Sequence, residues 1–265
     1  MKLSIILPVY NTAAFLRQNL DSILSQVKDD AVELIIVNDG STDDSAVILD
    51  EYAAKYSEIQ LYHRSNQGVY PVRNFALSKA NGDYLWMLDS DDYLLDGALA
   101  RIFSEISVAK TVDIFNLGYQ IEYKDKTVHQ DHAQSETPIC SGVEYLEQNF
   151  GSFFLWRNVY RRSFLEEHHL KFEAKVFSLE DTLFNIRTYS LAKTVKVIKT
   201  PYYFYRYNNT SISKKPSLEK IKRRADSSMY VHQQLKTDIE AIPKNSPRYK
   251  VMLGQLNFSV MGFFL

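Results

Sequence analysis

Cysteine is nearly missing from this chain: Cys140 is the single one in 265 residues. That excludes an intrachain disulfide and any multi-thiolate metal site, and it agrees with a reducing, cytoplasmic setting. The six histidines include no HxxxH pair. An excess of charge of one sign is also lacking. With 31 basic and 32 acidic residues the formal net charge is −1, so no global basic field exists to hold nucleic acid. An anionic ligand would need local dipoles, a few Arg or Lys side chains, or a metal. No apolar run approaches the ~18 residues that span a bilayer. The opening run Leu3 to Leu7 is too short for a secretory leader and is interrupted by Pro8 and Asn11, so it reads as a buried strand. No GxGxxG follows it, which removes a dinucleotide-binding oxidoreductase from consideration.

What is present is a βαβα alternation over roughly the first 110 residues, the pattern of a doubly wound, mostly parallel sheet. Strands are predicted at Leu3–Val9, Val32–Asn38, Ile59–His63 and Tyr84–Leu88, and helices at Ala13–Gln26, Asp43–Tyr56 and Val69–Ala80. Polar clusters follow three of these strands: Tyr10–Thr12, Asp39–Thr42 and Asp89–Asp92. Ligands of open α/β sheets bind outside the carboxyl ends of the strands, so the three clusters should line one crevice. Asn11 or Thr12, and Ser41 or Asp43, are also natural helix N-caps, which explains them without any ligand. Beyond 110 the expected elements are a strand and turn over Val112–Glu122, a polar connection over Lys124–Pro138, strands at Phe153–Tyr160 and Thr194–Ile198, and a helix over Glu180–Leu191. From Ser217 the chain turns helical and basic, with Lys220, Lys222, Arg223 and Arg224, and it stops inside the apolar run Phe258–Leu265. The many aromatics, as in Tyr202–Tyr207, are read as core and edge packing, with a sugar-stacking platform as the alternative.

The densest chemistry follows Trp86-Met87-Leu88, where Asp89, Asp91 and Asp92 place three carboxylates within four positions. Anions this close repel unless cations compensate them. A hard divalent ion, Mn²⁺ or Mg²⁺, held by one or two carboxylates and completed by phosphates and water, is the economical explanation. Capping of a helix starting near Leu94 is the competing one.

Four stretches in order, Ser4–Asn11, Asn38–Asp43, Asn66–Asn74 and Gly82–Asp92, resemble the inverting family 2 glycosyltransferases with a GT-A fold. The likeness continues more thinly through Trp156–Phe172, Leu179–Phe184 and Tyr205–Ser213. It implies a Rossmann-like α/β domain over 1–215, with a nucleotide-binding half (1–110) and an acceptor half (111–215), and a helical C-terminal extension over 216–265. It further implies that Pro8, Tyr10 and Asn11 lie against the nucleoside and that Asp39 accepts a hydrogen bond from uracil. Gly68 would belong to a donor-site loop, Arg73 would stand near the diphosphate, Asp89 would face ribose and metal, and Asp91 would be the principal metal ligand. Asp181, in Glu180-Asp181, would be the catalytic base. Without the resemblance, Glu180 and Asp181 are ordinary first-turn acids favoured by the helix dipole. Two departures stand out: Asn38-Asp39 replaces a doubled Asp, and Trp156-Arg157-Asn158 replaces Trp-Asn-Lys.

The expected activity is therefore metal-dependent transfer of a sugar from a nucleotide diphosphate donor, UDP favoured, to a hydroxyl of a saccharide or lipid-linked saccharide. A Gln-x-x-Arg-Trp motif and membrane spans are missing, which points to a non-processive enzyme. The basic and apolar C-terminal region is expected to rest on the inner membrane face. A nucleotidyltransferase and a catalytically silent sugar-nucleotide binding module are the competing classes; the first should show a Gly-rich basic loop where Pro8–Thr12 stands.

Overall fold

The computed structural model describes residues 1–126, 128–131, 139–149, 154–173, 176, 179–207 and 217–261. Its first half runs β1 (Leu3–Val9), α1 (Ala13–Leu24), β2 (Val32–Asn38), α2 (Ser45–Lys55), β3 (Ile59–His63), α3 (Val69–Lys79), β4 (Tyr84–Met87), β5 (Tyr93–Leu94) and α4 (Ala98–Val108). Then come β6 (Ile114–Glu122), β7 (Val128–Asp131), α5 (Gly142–Gln148), β8 (Asn158–Arg161), α6 (Arg162–Glu167), α7 (Glu180–Leu191), β9 (Val195–Tyr205), α8 (Leu218–Glu240) and α9 (Pro247–Met261).

Among the described residues these strands form one sheet in the order β3-β2-β1-β4-β8-β6-β9-β5, with β7 on β6. The first four are mutually parallel; β8 runs antiparallel between β4 and β6, and β6 and β9 are again parallel. Side chains alternate across the sheet with period two. Leu3, Ile5, Leu7 and Val9 pack with α1, α2 and α4 on one face, and Ile6 packs with α3, α5 and α7 on the other. Each fully buried Leu or Ile contributes about 1.5–3 kcal/mol, and both faces are covered, so the strands read as continuous apolar runs. The chain leaves β1 for β2 and β3, then returns through α3 to β4 on the other side of β1. The carboxyl ends of β1 and β4 are thus the switch point where a crevice must open.

Several elements differ from the sequence expectation. Tyr93–Leu94 is a strand and not a helix start, because Tyr93 stacks on Phe204 with centroids 4.5 Å apart and the pair is hydrogen-bonded to β9. The helix waits for Gly97, whose φ is +74°. The expected polar connection after Lys124 contains β7, paired to β6, and its remainder at 127 and 132–138 lies outside the described residues. In the Phe153–Tyr160 stretch, Phe153 is outside them; Leu155–Arg157 forms a 3₁₀ turn and the strand begins at Asn158. The strand expected at Thr194–Ile198 runs on to Tyr205, held by β6. Positions 208–216, 262–265 and Ser178 are also outside the described residues. The helices α8 and α9 insert Val231, Leu235, Ile239, Val251 and Met252 into the core that α7 occupies.

Candidate active site

The crevice is floored by two loops stitched together. Asn11 adopts φ +53°, a region an Asn tolerates. Its Oδ1 accepts the Thr42 N–H at 2.8 Å, and its own N–H donates to Ser41 Oγ at 3.1 Å. Thr12 makes no cap bond, and the amides opening α1 donate instead to Ser45 Oγ (from Thr12, 3.1 Å) and Asp43 Oδ2 (from Ala13, 3.0 Å), while Asp43 Oδ1 accepts the Ser45 N–H that opens α2 at 3.0 Å. Pro8 pairs with Val37 at the end of β1, and Tyr10 is exposed at the rim. Asp39 is buried, and its two oxygens accept the N–H groups of Gln67 (2.8 Å) and Gly68 (2.9 Å). Asp39 thereby fixes the loop that starts α3. Gly68 has φ +88° and nothing within 4 Å of a hypothetical Cβ, so backbone conformation alone demands glycine.

The three carboxylates after β4 have separated in role. Asp92 is 1 % exposed and turned inward, accepting the Tyr203 hydroxyl at 2.7 Å and the Arg206 N–H at 2.8 Å. Burial first, then Asp91 and Asp89, push its pKa well above the ordinary value. It anchors β9 and caps no helix. Arg206 completes that anchor: Nε donates to the Asp91 carbonyl at 3.1 Å, Nη2 to Gln18 at 2.6 Å, and the guanidinium lies between Phe15 and Tyr93. Asp89 and Asp91 remain partly exposed in the crevice.

The second carboxylate centre lies across one arginine from the first. Arg73, on α3, is 6 % exposed; Nη1 donates to Glu180 at 3.0 Å and Nη2 to Asp89 at 3.2 Å. Asp181 stands beside Glu180 in the first turn of α7, accepting the Thr182 N–H at 2.8 Å. Burial, then the charge of Glu180, push Asp181 up to about 7, against Arg73 and the Thr182 amide. Burial also pushes Asp89 up to about 6, with Asp91 and Glu180 adding to it and Arg73 opposing. The field of Asp89 reaches Asp181 as well. Asp181 therefore lies in the field of Asp89, Asp89 in that of Asp91, and buried Arg73 joins Asp89 to Glu180.

Two hard carboxylates that carry more negative charge than one arginine neutralises fit Mn²⁺ or Mg²⁺. Among the described residues no group of three or more His, Cys, Asp or Glu side chains forms a cage. A cation here would complete its shell from ligand phosphates and water.

Sequence reasoning missed the parts that hold α7. Asn185, one turn after Asp181, is fully buried; its Oδ1 accepts the Tyr160 hydroxyl at 2.5 Å and Asn158 Nδ2 at 3.1 Å. Asn158 Oδ1 in turn accepts Asn116 Nδ2 at 2.9 Å and the Tyr189 hydroxyl at 2.5 Å. The third residue of Trp156-Arg157-Asn158 is thus a core hydrogen-bonding hub, and Arg157 donates to the Leu117 carbonyl at 3.1 Å. Trp156 stacks on Tyr203 with centroids 4.4 Å apart, and Tyr202 and Tyr203 are buried, so the aromatic run packs the core. The only advance signal was polar residues, Asn158 and Asn185, inside apolar periodic runs.

Comparison with known proteins agrees with this architecture. The model of Glycosyl transferase family 2 matches residues 4–183. The chain is 33 % identical over 213 residues to the putative glycosyltransferase EpsH of Bacillus subtilis, covering 79 % of this chain and 62 % of that protein. It spans about three fifths of the length of such curated relatives. The fold superimposes on S. aureus TarS 1–349, solved in complex with UDP-GlcNAc, with TM-score 0.81 and 21 % identity over 99 % of this chain and 73 % of that one. It also superimposes on the mannosyltransferase PcManGT of Pyrobaculum calidifontis, solved with GDP-Man and Mn²⁺, with TM-score 0.64 and 16 % identity over 99 % of this chain and 74 % of that one. A parallel β3-β2-β1-β4 sheet, a carboxylate cluster at its switch point and a family match over most of the chain lead to one statement: this protein belongs to glycosyl transferase family 2.

Proposed function

We propose that this chain transfers a sugar from a UDP-sugar to a hydroxyl of a saccharide or lipid-linked saccharide, with inversion and with a divalent cation. One observation carries the proposal: Asp89, pushed up to about 6, and Asp181, pushed up to about 7, lie within each other's field, and buried Arg73 joins Asp89 to Glu180, the neighbour of Asp181. A carboxylate near neutrality suits a general base, because it is ionised in a useful fraction and still holds a proton well. Asp181 takes the proton of the acceptor hydroxyl. Asp89 and Asp91 would hold Mn²⁺ or Mg²⁺, which supplies charge to the departing diphosphate. Pro8, Tyr10, Asn11 and Asp39 line the nucleoside end, and the Gly68 loop, held by Asp39, closes that end. Attack from the Asp181 side, opposite the diphosphate, gives inversion.

A cytoplasmic enzyme with this acceptor class would work at the inner membrane face. Among the described residues no helix is long and apolar enough to cross a membrane. α8 exposes Leu218 and Ile221 at its start and Met229 near its middle, with Lys222 exposed beside the first two, as a contact of that kind would require. Vesicle flotation that is unchanged in a Leu218→Glu/Ile221→Glu variant would sink the membrane part alone.

The central test is a panel of nucleotide sugars assayed for Mn²⁺-dependent hydrolysis and thermal stabilisation. Stabilisation by UDP with Mn²⁺ is expected. If no nucleoside diphosphate stabilises the chain with or without metal, the proposal fails.

A further inference from the structure

Arg73 has a property that the reaction as proposed leaves unused. Its two terminal nitrogens serve carboxylates from different elements, Glu180 at 3.0 Å at the opening of α7 and Asp89 at 3.2 Å after β4. Its Nε is buried without an acceptor, and its guanidinium carbon lies 5.5 Å from the Phe172 ring centroid. An arginine that meets an anionic ligand from solution points its fork outward. This fork points inward, and the side chain is 7 % exposed. Charge-assisted bonds of this kind are strong, and one guanidinium divided between two carboxylates serves neither fully. What weakens one contact strengthens the other.

We infer that Arg73 is a positioning residue that couples the donor end of the crevice to the base end, because Asp89 and Glu180 compete for its single guanidinium. Once the charge of Asp89 is met by a divalent cation, Asp89 releases its share of Arg73 to Glu180. The opening turn of α7 is then drawn against α3 with Asp181 in place. The base is set only in the cation-loaded protein. This inference rests on the cation-assisted reading above. It also has a reciprocal consequence: Glu180, on the far side of Arg73 from Asp89, must influence how tightly a cation binds at Asp89 and Asp91.

The test is calorimetric titration of Mn²⁺ into the full chain, with and without UDP, for wild type, Glu180→Gln, Arg73→Gln and the double variant. With Glu180 neutral, Arg73 belongs wholly to Asp89 and competes with the cation. Glu180→Gln is therefore expected to weaken Mn²⁺ binding by about fivefold or more, the usual scale of coupling between sites. In the Arg73→Gln background the same change should have a clearly smaller effect, since only the direct field of Glu180 on Asp89 remains once the shared partner is gone. Arg73→Lys keeps the charge but not the two-pronged fork; it stands in if Arg73→Gln does not fold, and it should also shrink the Glu180 effect. Mn²⁺ affinity unchanged in Glu180→Gln, or changed equally in both backgrounds, would overturn the inference. A loss of UDP affinity in Arg73→Lys without Mn²⁺ would overturn it too, by placing the guanidinium on the diphosphate. Failure of the wild-type chain to bind Mn²⁺ or UDP at all is a distinct result, which removes the cation-assisted reading itself.

Discussion

Two carboxylate sites lie at opposite ends of the same strands. At the amino end Glu33 is 3 % exposed, and its Oε1 accepts Ser4 Oγ at 2.5 Å and the N–H groups of Asn81 at 2.6 Å and Gly82 at 3.0 Å. Its Oε2 meets Lys2 Nζ at 3.1 Å and Gln60 at 3.2 Å. Gly82 is glycine because a Cβ would stand 2.6 Å from the Ser4 nitrogen. Burial raises the pKa of Glu33, but these bonds outweigh it and hold the group below its ordinary value. At the carboxyl end Asp89 and Asp181 are raised, with one arginine against several negative charges. A structural carboxylate is given all its partners by the chain. A working one is left short of them, and a ligand makes up the difference.

The largest expected effect breaks the working end alone. Asp181→Asn should lower kcat by about 10²–10⁴-fold, with UDP affinity close to wild type and, at pH 7 to 8, a melting temperature at or above it. Full activity in that variant, with activity lost in Asp91→Ala, would leave the donor end standing and remove the base. At the other end, Glu33→Ala strands Ser4, two amides and Lys2, and should cost about 1–3 kcal/mol of unfolding free energy with kcat unchanged at low temperature. Denaturant titration against steady-state kinetics separates the two classes.

The two ends should also answer pH with opposite sign. Because Asp181 has a folded value of about 7, above the ordinary 3.8, its stabilising contribution is present at low pH and is lost as pH rises from about 4 through about 7. Glu33 is lowered, so its contribution is present at neutral pH and is lost as pH falls below the ordinary 4.5. Melting curves of the metal-free chain should therefore decline from pH 5 to 8, and Asp181→Asn should flatten that decline. Transfer itself should rise through about 7 as Asp181 ionises. A further test is Gly68→Ala. With open space around the added methyl, only the backbone at φ +88° and ψ 167° resists it, so about 1–3 kcal/mol is expected by denaturant titration.

Local pattern reaches as far as the chain's own neighbours do. The limits of β1, β2 and β3, and of α7 at Glu180–Leu191, follow from apolar periodicity and turn residues. Asp89, Asp91 and Asp181 were visible as clustered charge or as motif. What stayed hidden depends on partners far along the chain. Tyr93 becomes a strand through Phe204. The opening turn of α1 is capped by Asp43 and Ser45 across the crevice floor. Arg73, expected near the diphosphate, is tied to Glu180, which lies 107 positions further along the chain.

The outer face of α7 is gripped from the C-terminal helices. Arg187 donates through Nε to Asp238 at 2.6 Å and through Nη2 to Gln234 at 3.2 Å, and it also pairs with Glu173. Ser190, further along α7, accepts from Arg248 at 3.4 Å. The helix that presents Asp181 is thus clamped between Arg73 on one side and α8 on the other. Anyone shortening this protein at Ser217 would be removing the brace of α7 and opening the core that Val231, Leu235, Ile239 and Met252 fill, and should expect a less stable chain.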